Sequence, residues 1–122
     1  MSQRRIRGRT NYEAGIAAED QVARLYETEG HAILTRRWRG KYGELDLVAE
    51  KDGEVIFIEV KKSGSFAEAA LHLTQRQIGR IYNAASEYLG RLPTGQSTNS
   101  RFDVALVDRM GRIDRIPNAI MA

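Results

Sequence analysis

Two short apolar stretches carry the side chains most able to do chemistry. Gly43-Glu44-Leu45-Asp46-Leu47-Val48 and Ile58-Glu59-Val60-Lys61 flank Lys51-Asp52-Gly53-Glu54, where Asp-Gly suits the positive φ angles of a two-residue type I′ hairpin turn. Such a turn sets Lys51 against Glu54. Continued along the strands, the same register sets Asp46 against Glu59 and Glu44 against Lys61. Opposed residues share a face, with Cβ atoms about 4.5–5.5 Å apart. Two carboxylates that close repel unless a cation sits between them. Mg²⁺ or Mn²⁺ would serve, because such ions take one or two carboxylates together with water and substrate phosphate. The main-chain carbonyl of Val60 would add an oxygen. Lys61, on the face of Glu59, could orient a water or stabilise charge on a phosphoryl transition state. Asp46 and Glu59 as metal ligands beside Lys61 therefore predict metal-assisted phosphodiester hydrolysis.

The plain alternative is that these charges form the wet side of a half-buried sheet. Two features weigh against it. Asp opposite Glu is a poor choice for stability alone. Glu59 also lies in VIFIEVK, a run apolar enough to be buried on both faces, where a carboxylate needs a partner.

The elements that must position these residues are legible from pattern. Thr10-Asn11-Tyr12-Glu13 has capping-box spacing and opens a helix whose buried stripe is Ala14, Ala18, Val22, Leu25 and Tyr26, ending at Gly30. Residues 32–38 read as a first strand with poor alternation, 44–50 as a second and 54–61 as a third. Across the hairpin, Leu45, Leu47 and Ala49 are expected to face the core with Ile56, Ile58 and Val60, which fixes the register. An alanine-rich stretch, 66–72, leads to Thr74, which caps a helix over 75–91 with Ile78, Ile81, Tyr82, Ala85 and Leu89 inward. A polar loop, 93–100, precedes a fourth strand at 101–107, and 112–117 adds a fifth. The order is α-β-β-β-α-β, an α/β fold with a mixed sheet flanked by helices, the third strand reaching a parallel fourth through a helical crossover.

At 122 residues with no cysteine, the chain is expected to be a single domain over 11–122 behind a flexible basic arm over 1–10. Disulfides and thiol chemistry are excluded, which fits a cytoplasmic protein. The N-terminus has no apolar run of the secretory kind, and no stretch approaches the roughly 20 apolar residues of a membrane span. The formal net charge of +3 is unevenly spread: Arg4, Arg5, Arg7 and Arg9 precede the first acid, Glu13. A second basic cluster, Arg36, Arg37, Arg39 and Lys41, stands just before the carboxylate strand. Basic clusters of this kind favour phosphate backbones. Trp38 between two arginines could stack on a base, but packing is the commoner use of a tryptophan. His31 and His72 are too isolated to form a metal site.

Gly-Glu-Leu-Asp-Leu followed by Ile-Glu-Val-Lys resembles the signature of PD-(D/E)xK nucleases, which share the restriction-endonuclease-like fold. The chain is similar to archaeal Holliday junction resolvases and, more closely, to the small bacterial YraN-like proteins. The likeness runs through Gly15-x-x-Ala18-Glu19, Ala85-x-x-Tyr88-Leu89 and Arg101-Phe102-Asp103-Val104. It implies a nuclease core with Asp46 and Glu59 as ligands, Lys61 as the catalytic lysine and Glu19 as a helix-borne acid near the metal. Where relatives often carry a lysine early in the long second helix, this chain has Gln77, with Arg76 and Arg80 as basic neighbours. Gln77 and Arg80 thus join Arg36, Arg37, Arg39 and Lys41 as expected nucleic-acid contacts. The expectation is a nuclease on DNA rather than RNA, with branched substrates and a homodimer implied by the resemblance only. The alternative is a nucleic-acid-binding module without turnover on the same fold.

Overall fold

The computed structural model describes the backbone of residues 3–119 and the side chains of residues 15–119. The helix α1 spans Gln3–Thr28. The strands β1 (Ala32–Arg39), β2 (Glu44–Lys51) and β3 (Glu54–Lys62) follow, then α2 (Phe66–Leu71) and α3 (Gln75–Gly90). A short 3₁₀ turn, Gly95–Ser97, leads to β4 (Ser100–Val107) and β5 (Ile113–Ile116). Helix α1 starts ahead of Thr10, so the backbone of the expected basic arm continues it from Gln3. Glutamine and arginine are good helix formers and no proline intervenes, so the helix runs through Gly8 and past the capping-box spacing at Thr10. The arginine side chains of that segment lie outside the described residues.

The five strands lie in chain order in one mixed sheet. Only β3 and β4 are parallel; the other three neighbours are antiparallel. The sheet is mixed and helix-flanked as the pattern required, consistent with the restriction-endonuclease-like core. The hairpin turn has the expected form: Lys51 pairs with Glu54, and Asp52 and Gly53 take φ of 53° and 82°.

Each face of the sheet has its own core. Ala18, Val22, Ala23 and Tyr26 of α1 pack on Leu47, Ala49, Ile56, Ile58, Ala105 and Val107. On the other face Ile81, Ala84, Ala85 and Leu89 of α3 cover Leu45, Val48, Val55 and Phe57. Tyr82 departs from the expected inner face of α3: it is exposed, with its ring stacked on Phe102. Thr74 caps α3 as expected, and Gln77 completes the capping box from the third position.

Leu45 is the informative departure. Strict alternation puts it beside Leu47, yet it packs on the α3 side and Leu47 on the α1 side. The neighbouring strand does the same: Arg36 reaches Asp20 on α1, while Trp38 packs edge-on against Tyr88 of α3. Both strands change face across one rung, Arg37 opposite Asp46, which the β1–β2 pairing skips between Arg36↔Leu47 and Trp38↔Leu45. Arg37 makes the change possible by adopting φ +50°.

Candidate active site

Where β1 and β2 change face, β2 also parts from β3. The expected pairing holds from Lys51↔Glu54 to Leu47↔Ile58 and stops there. Asp46↔Glu59 and Glu44↔Lys61 are therefore not rungs of the ladder, contrary to the simple extrapolation. The main-chain N–H of Val60 donates instead to Asp46 Oδ2 at 2.9 Å. The carboxylate takes the place of a backbone acceptor at the mouth of the gap between the strands. This brings Asp46 to Glu59 by a different route: both line the same cleft and each acts on the other's ionisation, although their backbones are no longer paired.

Glu59 is 8 % exposed. Burial, and after it the charge of Asp46, pushes its carboxyl well above the ordinary glutamate range, against the pull of Lys61. Burial also raises Asp46, opposed by the Val60 hydrogen bond. Burial thus disfavours the ionised form of both acids. Lys61 is half-buried on the same side as Glu59 and acts on both carboxyls.

Two clefts meet at Asp46. One, of about 220 Å³, opens on the α3 side and is lined by Gly43, Glu44, Asp46, Glu59, Lys61, Gln77, Arg80 and Ile81. The other, of about 210 Å³, opens on the α1 side beside Glu19, Arg37, Glu44, Asp46, Val60 and Lys62. Glu19 is as buried as Glu59, and burial raises its carboxyl too, while Arg37 opposes the shift. The negative charges of Asp46 and Glu44 also act on Glu19, so the α1 acid belongs to the same electrostatic unit.

The basic residues expected to grip phosphate fall into two groups. Arg36 is ion-paired with Asp20, Arg37 with Glu19 at 3.0 Å and Arg39 with Glu44 at 3.3 Å. Lys41 is exposed, and its main-chain N–H donates to Glu87 Oε1 at 2.7 Å. Arg76 and Arg80 on α3, both exposed, form no ion pair among the described residues. Gln77 lines the α3-side cleft, but its Oε1 accepts from the Thr74 N–H at 3.4 Å as part of the helix cap. Trp38 takes its packing role: Arg91 lies 5.1 Å over the ring, and a Cβ on Gly40 would come within 2.5 Å of both that ring and Glu87 Oε1. Arg101 and Asp103 serve structure, Asp103 accepting from Arg101, from the Tyr26 hydroxyl at 2.6 Å and from the Asn118 N–H.

Sequence reasoning missed the Arg37–Glu19 pair and the Val60 N–H. The poor alternation of residues 32–38 was the available signal, because a strand that changes face cannot alternate cleanly.

Among the described residues no group of three or more acidic or imidazole side chains is gathered as a ready-made metal site. The oxygen donors brought together are the Asp46 and Glu59 carboxyls, to which the Val60 carbonyl expected from the sequence would add a third. That set fits Mg²⁺ or Mn²⁺, which keep several waters and share substrate oxygens, and not an ion needing a closed protein cage. No helix of the described residues is long and apolar enough to cross a membrane.

The profile of the Uncharacterised protein family UPF0102 matches residues 18–107, from the end of α1 that carries Glu19 to the end of β4. A UPF0102 protein of Cereibacter sphaeroides is 56% identical over 115 residues, covering 94% of this chain and 98% of that protein. One from Ruegeria pomeroyi is 51% identical over 113 residues, covering 93% and 92%. One from Dinoroseobacter shibae is 39% identical over 118 residues, covering 97% and 88%. The chain belongs to the UPF0102 family.

Proposed function

We propose that this UPF0102 protein is a metal-dependent nuclease of the PD-(D/E)xK kind, hydrolysing phosphodiester bonds in DNA. The observation that carries the reading is the convergence of Asp46 and Glu59 in a gap between strands, with Lys61 beside them. A fold gains no stability from setting a half-buried Asp46 carboxyl beside the buried carboxyl of Glu59, so their placement favours a ligand.

Asp46 and Glu59, with the Val60 carbonyl, would hold Mg²⁺ or Mn²⁺. When bound, such an ion supplies Lewis-acid stabilisation of phosphoryl oxygens and lowers the pKa of a water. The chain's own residues do the remainder. The Val60 N–H fixes the Asp46 carboxylate through one of its two oxygens. Lys61 orients the attacking water or offsets charge on the phosphoryl oxygens as it grows. Arg80 and Arg76 draw the nucleic-acid backbone along α3, needing no protein partner to be displaced first. Arg36 and Arg39 contribute only as far as phosphate competes with their acids, and exposed pairs of this type are worth at most about 1 kcal/mol.

The test is a cleavage panel of single-stranded, duplex, forked and four-way-junction DNA, with an RNA strand alongside, in Mg²⁺ or Mn²⁺. Wild type should cut at least one substrate, and Asp46→Asn and Glu59→Gln should abolish cutting. Cleavage that survives unchanged in Lys61→Ala would place the activity elsewhere. Binding without metal uptake or cleavage would favour the nucleic-acid-binding module over the nuclease.

A further inference from the structure

Tyr42 stands in the turn that joins β1 to β2, Gly40-Lys41-Tyr42-Gly43, and is 49 % exposed. Among the described residues no ring packs on it and no cation lies over it. Tyr82 shows the usual alternative: it too is exposed, yet its ring is stacked on Phe102. A single exposed aromatic needs no explanation by itself. The surroundings of Tyr42 supply one. It adjoins Gly43, which lines the cleft that holds Asp46, Glu59 and Lys61. A Cβ on Gly43 would come within 3.3 Å of Arg80 Cδ, so the turn and the stem of that arginine form one wall of the cleft. The turn is also held still. The Gly40 N–H donates to the Gly43 carbonyl at 3.0 Å, and the Lys41 N–H to Glu87 Oε1 at 2.7 Å. The Lys41 side chain is exposed and forms no ion pair among the described residues. A basic surface with an open aromatic ring is what single strands bind, the cations taking the backbone and the ring a base. In a continuous duplex both faces of a base are covered by its neighbours, so only an unpaired or extruded base can meet such a ring.

We propose that Tyr42 is a base-stacking platform at the rim of the α3-side cleft, selecting DNA with an unpaired base close to the phosphate to be cut. Lys41 beside it and Arg80 against Gly43 hold the backbone, and the ring takes the base. Because the turn is already fixed, little freedom is lost when a flat ligand settles on it. Stacking of this kind is tolerant of sequence, since every base has a π-face. The selection is therefore for strand structure and not for a base order. This inference rests on the nuclease reading and names its substrate class: single-stranded or forked DNA in preference to continuous duplex.

The test is fluorescence anisotropy of the full chain in EDTA, with a forked oligonucleotide and a continuous duplex, so no cleavage enters the readout. Tyr42→Ala should lower affinity for the fork about tenfold and for the duplex less than about twofold. Tyr42→Phe keeps the ring and should bind both as wild type does. Lys41→Ala removes charge alone and should weaken both to a similar extent. As a second readout, 2-aminopurine at the unpaired position should lose emission on binding wild type and Tyr42→Phe, and not on binding Tyr42→Ala. Equal losses on fork and duplex in Tyr42→Ala, or no loss on either, overturn the platform while leaving the nuclease reading to its own cleavage panel. Failure of wild type to bind any strand would remove the nucleic-acid reading and the platform together, a different result from binding that Tyr42 does not affect.

Discussion

The two clefts that meet at Asp46 are nearly equal in volume and opposite in how their cations are used. On the α1 side Arg37 is tied to Glu19, and Arg36 nearby to Asp20. On the α3 side Lys61 stands beside the paired carboxyls, and Arg80 has no acidic partner among the described residues. On the α1 side the arginines are already paired and Lys62 is the cation that forms no ion pair among the described residues; on the α3 side neither Lys61 nor Arg80 forms one. Chemistry and first contact with a polyanion should therefore fall on the α3 side.

The largest expected effect contrasts neighbouring lysines. Lys61→Ala should lower the cleavage rate by about 100-fold or more, as for loss of a group acting on developing charge. Lys62→Ala, on the α1 side, should lower it less than about tenfold, as for loss of one backbone contact. Single-turnover rates on one oligonucleotide check both, and equal losses would erase the distinction between the clefts.

Next is stability. Glu59→Gln replaces a buried acid by an amide able to donate to Asp46, so it should stabilise the metal-free protein by about 1 to 2 kcal/mol. Urea denaturation measures this; a destabilised variant would mean that the acid pair supports the fold. Smaller again is binding. Arg80→Ala should weaken DNA binding several-fold and reduce the salt slope by about one, while Arg36→Ala and Arg39→Ala change affinity less than about twofold. Fluorescence anisotropy across a salt series decides it.

The smallest effect is the pH dependence of the metal-free chain. Glu59, Asp46 and Glu19 all have carboxyls raised by burial, so the native state holds protons that the unfolded chain releases. Stability should then fall as pH rises from the ordinary carboxylate range through the raised native values. Asp108 and Glu29, lowered in pKa chiefly by Arg112 and Arg115, act with the opposite sign at more acid pH, where protonating them costs stability. Thermal melts over a pH series check both limbs, and saturating Mn²⁺ should flatten the upper one.

Much of the frame was legible in the chain. Asp52-Gly53 specified its turn, Thr74 its helix start, and the apolar alternation from Leu47 to Ile58 its register. Legibility failed where one residue alters the rule that the others follow. A positive φ at Arg37 leaves no mark in an arginine's propensity, so extrapolating alternation to Leu45 and pairing to Asp46 went one rung too far. The convergence of Asp46 with Glu59 was nonetheless anticipated, because the side chain bridges what the backbone leaves open. The acids that occupy Arg36 and Arg37 come from α1, and such long-range pairing is set by packing, not by local sequence. Gln77 lay in plain view: three residues after Thr74, it had capping-box spacing.

The tight seating of Gly40 has a mechanical result. With Trp38 and Glu87 crowding that glycine, and Glu87 held to both the Lys41 N–H and Arg91, the β1–β2 turn is fastened to α3. The two rims of the α3-side cleft are thus parts of one frame and cannot swing apart like jaws. The nucleic acid proposed as substrate would meet a slot of fixed gauge, selected by what can thread it and not by how far the protein can gape.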